Sequence, residues 1–197
     1  MSFSVTIDER WLPLRLIGMR LDDRELVGFC RANRIFDIER DSDGALLVRM
    51  LGGAGVSLIN AGVCSSVQTW VDRTGFGMTF SSAGFLLRDG SMLGVPTAWV
   101  NSDRAERLKA VKGDCFIEGA PDFLVEIVSV TRSIAELQEK MRRWIENGAQ
   151  VGWLIDPAER AVTIYRQGQA AETLVDPTSV QGDGPIAGFE LVMNRIW

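Results

Sequence analysis

The stretch GAPDFLVEIVS, Gly119 to Ser129, constrains this chain more than any other. It reads as a buried strand, yet an acid, Glu126, stands among its apolar residues. A strong helical pattern follows from Ser133 to Asn147, and then a second apolar run, VGWLID. Ser133 and Glu136 make a capping box, Ile134, Leu137, Met141, Trp144 and Ile145 form one apolar stripe, and Gly148 ends the helix. A strand, an amphipathic helix and another strand in succession point to an α/β fold, because each apolar face must be covered by another element.

In an ideal strand Phe123, Val125 and Ile127 share one face, and Leu124, Glu126 and Val128 share the other. An unpaired carboxylate is costly to bury, so Glu126 requires a metal, a Lys or Arg, or backbone donors. Lys140 is a candidate partner. At about 100° per residue it falls on the flank of the helix's apolar stripe, so a helix packed back on the strand can aim its ammonium at Glu126. A structural ion pair and a functional site both fit that pattern. A metal would ordinarily take a second acid. Asp122 shares the face of Glu126, but four strand residues separate the two by about 13 Å. The second ligand is therefore expected on a neighbouring strand, and VPTAWV, from Val95 to Val100, is the place to look.

The chain contains no histidine, which excludes Ser-His-Asp and Cys-His catalysis, histidine-based zinc sites and histidine-based nucleases. Cys30, Cys64 and Cys115 are odd in number and far apart, so neither a disulfide framework nor a zinc–cysteine site is expected, and a reducing cytoplasm fits best. A formal net charge of -5 advertises no global attraction to nucleic acid, so any such contact has to be local. The N-terminal MSFSVTIDERW carries charge where a signal peptide would be apolar. The uncharged run from Met50 to Val71 is interrupted by Ser57, Asn60, Ser65, Ser66, Gln68 and Thr69, and reads as a buried amphipathic helix rather than a membrane span. A soluble protein of 197 residues in one domain is the expectation.

Other elements are legible too. LDDRELVGFCRAN predicts a helix capped by Asp22 or Asp23, and FDIER and ALLVRM flank DSDG as a hairpin. A helix is expected from Ser57 to Arg73, stopped by Gly75, and its Gly-rich lead LGGAG lacks the G-K-[ST] ending of a P-loop. FGMTF, GFLLRDGSML and VPTAWV read as short strands, with a tight turn at Asp89-Gly90. VGWLID and AVTIYR pair across PAER. Arg104, Arg107, Lys109 and Lys112 alternate with acids and read as a solvated helix face, while the six tryptophans read as core and interface filling.

From about Leu21 to Trp197 the chain resembles the Uma-two family of putative restriction endonucleases, within the PD-(D/E)XK nuclease superfamily. The resemblance rests on SSAGFLLRDGS, VPTAWV, APDFLVEIVS, SIAELQEKMRRWIENGAQVGWLIDPAERAVTIYR and GFELVMNRIW, in that order. It implies a restriction-endonuclease-like α/β core, a mixed central sheet flanked by helices, spanning the chain apart from an N-terminal extension of about 20 residues. It also implies Mg²⁺-dependent (or Mn²⁺-dependent) hydrolysis of DNA phosphodiesters, and a homodimer by analogy with restriction-type enzymes. Glu126 matches the second-strand acid and the metal ligand, and Lys140 fits the variant whose lysine comes from the following helix, because Val128 stands at the usual lysine position. The first-strand proline is Pro96, but Thr97 occupies the expected Asp position, and Met50 to Val71 lacks the family's helix acid. On the family plan Thr97 lies beside Glu126 and faces the same cleft. Glu126 would then hold the ion almost alone, with Asp122 or Glu118 as possible accessories, and Lys140 would position the nucleophile or stabilise charge on the phosphate. Two readings follow: a metal-dependent endonuclease with an incomplete active site, and a catalytically inactive nuclease-fold protein that binds DNA or protein.

Overall fold

The protein is described by a computed structural model over residues 9–110 and 115–197. Lys112 and the first eight residues, with most of the MSFSVTIDERW segment, lie outside the described residues. Along the chain the elements are β1 (Leu14–Leu16), α1 (Asp23–Ala32), β2 (Phe36–Arg40), β3 (Leu46–Met50), α2 (Ala54–Thr74), β4 (Met78–Leu86), β5 (Met92–Val100) and α3 (Ser102–Lys109). They continue with β6 (Ile117–Glu118), β7 (Phe123–Ile127), α4 (Ile134–Glu146), β8 (Val151–Asp156), β9 (Ala161–Arg166), β10 (Glu172–Val175), β11 (Ser179–Gln181) and β12 (Glu190–Val192). The chain divides into two compact units, and β4 and β5 each pass from one to the other.

The first unit contains described residues 9–51, 84–94 and 115–119. Its β2–β3 hairpin runs in register from Phe36↔Met50 to Arg40↔Leu46, and Gly44 supplies the left-handed residue of the DSDG turn at φ 85. The strand β1 adds antiparallel to β3. Helix α1 begins at a capping box, Asp22 with Glu25, and buries Leu26 and Phe29 in a cluster with Ile38, Leu46, Val48 and Met92. Cys30 sits beside this cluster, where burial and then the nearby Asp37 push its thiol up to about 11, leaving it a packing residue with little thiolate.

The second unit contains described residues 52–83, 95–110 and 120–197. Within it the strands lie in the order β5, β7, β8, β9, β10. The β7–β8 pair is parallel and the others are antiparallel, which makes a mixed sheet. A parallel pair needs a crossover, and α4 is that crossover. Odd-numbered β7 residues face one side. There Phe123 and Val125 pack with Trp99, Trp153 and Ile155, with Val63, Val67, Trp70 and Val71 of α2, and with the C-terminal Phe189, Leu191 and Met193. Three aromatic pairs stitch this layer: Trp70–Trp99, Phe123–Trp153 and Trp153–Phe189, with centroids 5.6, 5.1 and 5.7 Å apart. Helix α4 covers the other face, over β8 and β9.

The α/β architecture, with a mixed sheet flanked by helices, is therefore present in the second unit alone. Local readings differ from it in three places. FGMTF and GFLL are one strand, β4, which runs on through Ser82 at φ 53, and VPTAWV is the second half of β5. Strands β10, β11 and β12 arise from short runs too brief for a periodic signal. Trp11 is 70% exposed, unlike the buried Trp70, Trp99, Trp144 and Trp153. No helix among the described residues is long and apolar enough to cross a membrane.

Candidate active site

Every residue of β7 is buried, Glu126 included, at 3% exposure. Alternation sends Glu126 to the α4 face, and Lys140 arrives there from the middle of that helix. The Lys140 Nζ lies 2.7 Å from Glu126 Oε1, with both side chains buried. One turn further on, the indole Nε1–H of Trp144 donates to the same Oε1 at 3.4 Å. Lys140 and Trp144 are i and i+4, so the helix itself brings both donors to one oxygen. Helix α4 is fixed at its start by the capping box, where Ser133 Oγ accepts from Glu136 N–H at 3.2 Å and Glu136 Oε2 accepts from Ser133 N–H at 2.9 Å. Buried Leu137 and Met141 seat its apolar stripe.

Close approach of α4 depends on Gly152 of β8, which pairs with Leu124 on the Glu126 face. A Cβ there would come within 2.5 Å of Met141 Cε and 3.5 Å of Leu124 Cγ. Gly152→Val is accordingly expected to destabilise the protein by about 1–3 kcal/mol, as overpacking does. It should also displace the Met141 side chain, whose terminal methyl is the first atom met, and a crystal structure of the variant would show that shift.

Thr97 does not join this pair. It is registered opposite Val125, so its side chain projects to the α2 face, opposite to Glu126. There it is fully buried and its Oγ1 hydrogen-bonds Asn60 Oδ1 of α2 at 2.8 Å. The expectation that Thr97 faces the Glu126 cleft is thus corrected by strand register: the residue opposite Glu126 along β5 would be Pro96, one position earlier. Asp122 is also elsewhere, just before β7 begins. Its Oδ2 accepts from Asn101 N–H at 2.9 Å, and its Oδ1 accepts from Asn101 Nδ2 at 3.1 Å and Gln150 Nε2 at 2.8 Å. Three donors thus tie that carboxylate to the N-cap of α3 and the approach to β8. Glu118 is on β6 of the first unit.

The basic residues sort by burial. Arg104 is half-buried: its Nη1 donates to the Ala120 carbonyl, and burial first, with Arg107, lowers its pKa against the raising effect of Asp122. Lys109–Glu106 and Arg142–Glu139 are exposed pairs within single helices, at 2.5 and 2.6 Å. Surface pairs of this kind contribute little to stability.

Sequence patterning missed two partners, Trp144 at Glu126 and Asn60 at Thr97 on the opposite face. Trp144 was legible only as part of an apolar stripe, though its place four residues after Lys140 was the available signal. Asn60, a polar residue in the uncharged run from Met50 to Val71, gave no hint of its partner. Among the described residues no group of three or more His, Cys, Asp or Glu side chains converges as a metal site. The donor set at Glu126 is one hard carboxylate, which fits Mg²⁺ or Mn²⁺ only in the mode where water and substrate phosphate complete the octahedron.

Comparison with known proteins agrees with this architecture. A crystal structure of a putative nuclease belonging to DUF820 from Anabaena variabilis ATCC 29413 superposes with a TM-score of 0.71, at 21% identity, covering 81% of this chain and 88% of that one. No curated protein matches the sequence. Residues 24–194 match the Uma2 family, described as putative restriction endonuclease. With the match spanning nearly the whole chain, this protein belongs to the Uma2 family of putative restriction endonucleases.

Proposed function

We propose that the chain carries an incomplete metal-dependent DNA endonuclease site of the PD-(D/E)XK type, with Glu126 as its single acidic ligand and Lys140 as its cation. The observation that carries this reading is the buried Glu126–Lys140 contact of 2.7 Å in a nuclease-family chain. A buried charge pair with an indole donor is more than packing requires, since well-packed apolar residues of similar volume are often as stable. A bound Mg²⁺ or Mn²⁺ would polarise the phosphate and make its water a better nucleophile. Glu126 would supply the protein's oxygen to the ion, and Lys140 would hold that carboxylate and offset charge at the phosphate. DNA as substrate, a homodimer and a cytoplasmic location belong to the same reading. One ligand in place of two predicts DNA cleavage that is slow or absent.

The second reading is a catalytically inactive nuclease-fold protein that binds DNA or protein. Thr97 favours it, because the residue at the expected Asp position is committed to Asn60 inside the core. Calorimetric titration of Mn²⁺ into wild type and Glu126→Gln, with a DNA cleavage assay alongside, separates the two. Weak binding in wild type that Glu126→Gln abolishes is expected. Equal binding by both proteins would remove Glu126 as the ligand, and absence of Mn²⁺ binding in wild type would select the inactive reading.

A further inference from the structure

We propose that Trp144 is a positioning residue that orients the Glu126 carboxylate, an inference that rests on the site reading above. Trp144 is fully buried, and its ring is large enough to fill its place in the stripe without any polar contact. The indole N–H nevertheless points at Glu126 Oε1, the same oxygen that Lys140 approaches at 2.7 Å. A carboxylate has two oxygens and rotates about its terminal bond. Two donors converging on one oxygen from a single rigid helix remove that rotation. Oε1 is then held inward against α4, and Oε2 becomes the oxygen presented to a metal ion. Lys140 alone cannot do this as well, since an ammonium on a flexible four-carbon stem is a mobile point charge, whereas an indole held in a core has a fixed donor direction. Outer-sphere donors of this kind set the orientation of a metal ligand, and losing one typically weakens metal affinity by about 10–100-fold.

Trp144→Phe removes the donor and keeps an aromatic ring in the stripe. Met141→Leu, on the same buried face, serves as a packing control. The first measurement uses the metal-free protein: the indole ¹H–¹⁵N resonance of Trp144, assigned by its absence in Trp144→Phe. It is expected downfield and slow to exchange in wild type, and shifted upfield in Glu126→Gln. An indole signal indifferent to Glu126→Gln would overturn the inference. The second measurement is Mn²⁺ affinity by calorimetry at a temperature where all variants are folded. Trp144→Phe should bind about tenfold more weakly, the lower end of the outer-sphere range, with Met141→Leu unchanged. Equal losses in both variants, or none in Trp144→Phe, would make Trp144 a packing residue and leave the site reading intact. Absence of Mn²⁺ binding in wild type would instead sink the site reading, and the positioning role with it.

Discussion

Lys140→Ala should destabilise the second unit by about 3–5 kcal/mol, the range seen when one partner of a buried ion pair is removed. The main physical cause is the carboxylate left buried and uncompensated, and the missing attraction between the two charges is the smaller part. Glu126 is 3% exposed on a strand whose every residue is buried, so little water reaches its carboxylate to replace the ammonium. The apolar stem of Lys140 is buried with its head, and truncation forfeits that packing as well. Removing both charges should behave differently. Glu126→Leu with Lys140→Met replaces the pair by apolar groups of similar volume, which is often neutral or stabilising. The double variant should therefore recover most of the loss in a denaturant titration. Tryptophan fluorescence suits the measurement, because Trp70, Trp99, Trp144, Trp153 and Trp197 all lie in the second unit. A loss below about 1 kcal/mol in Lys140→Ala, the value of a solvated surface pair, would show that the pair is not buried in solution.

Thr97→Asp is the second large effect, and its direction tests strand register. The family plan makes this change a repair that adds a carboxylate next to Glu126. The structure makes it an injury. Thr97 is fully buried opposite Val125, on the face that carries Trp99, Trp153 and Val67. Asp there would place a carboxylate against Asn60 Oδ1, an acceptor that Thr97 now satisfies by donation at 2.8 Å. An ionised Asp has no proton to give, and even with the Asn60 amide turned to donate, a net charge would sit in a nearly dry core. A loss of at least about 3 kcal/mol is expected, comparable to an uncompensated buried charge. Added Mn²⁺ should not restore it, because Glu126 projects to the opposite face of the sheet. The Asp should also stay protonated well above its usual range, since burial disfavours the charged form. A folded-state pKa above the unfolded value means that this cost is smallest at low pH and grows as the pH rises past the unfolded pKa. Melts of wild type and variant at pH 5 and pH 8, with and without Mn²⁺, would show it. Rescue of Thr97→Asp by Mn²⁺ would restore the family plan and refute the register.

Much of the architecture was readable because local physics is strong where it was read. The capping boxes at Asp22 and Ser133, the left-handed Gly75 at φ 68 and the turn glycines Gly44 and Gly90 act within a few residues of themselves. The Lys140 stripe position is also local, a matter of angle along one helix. The failures have the opposite character. The FGMTF and GFLL runs merge into β4 because cross-strand bonds carry the strand through Ser82, where the sequence shows a break. Arg104 looks solvated by charge alternation, yet helix α3 turns it towards the Ala120 carbonyl.

What the sequence determined by itself is the demand at Glu126: an acid in an apolar strand needs a metal, a Lys or Arg, or backbone donors, and Lys140 was a candidate that helical geometry could deliver. The absence of histidine likewise ruled out whole classes of catalysis without any coordinates. Which residues join that pair was decided by tertiary structure alone. A side chain's face on a strand alternates with every residue, so sequence distance from a proline cannot say whether Thr97 looks at Glu126 or away. The answer comes from pairing Thr97 with Val125, a hydrogen-bond register between strands more than twenty residues apart. Trp144 at Glu126, and Asn60 at Thr97 on the opposite face, were decided the same way, since a side chain's partner across a core is set by how helices pack, and periodicity records only that the side chain is inside.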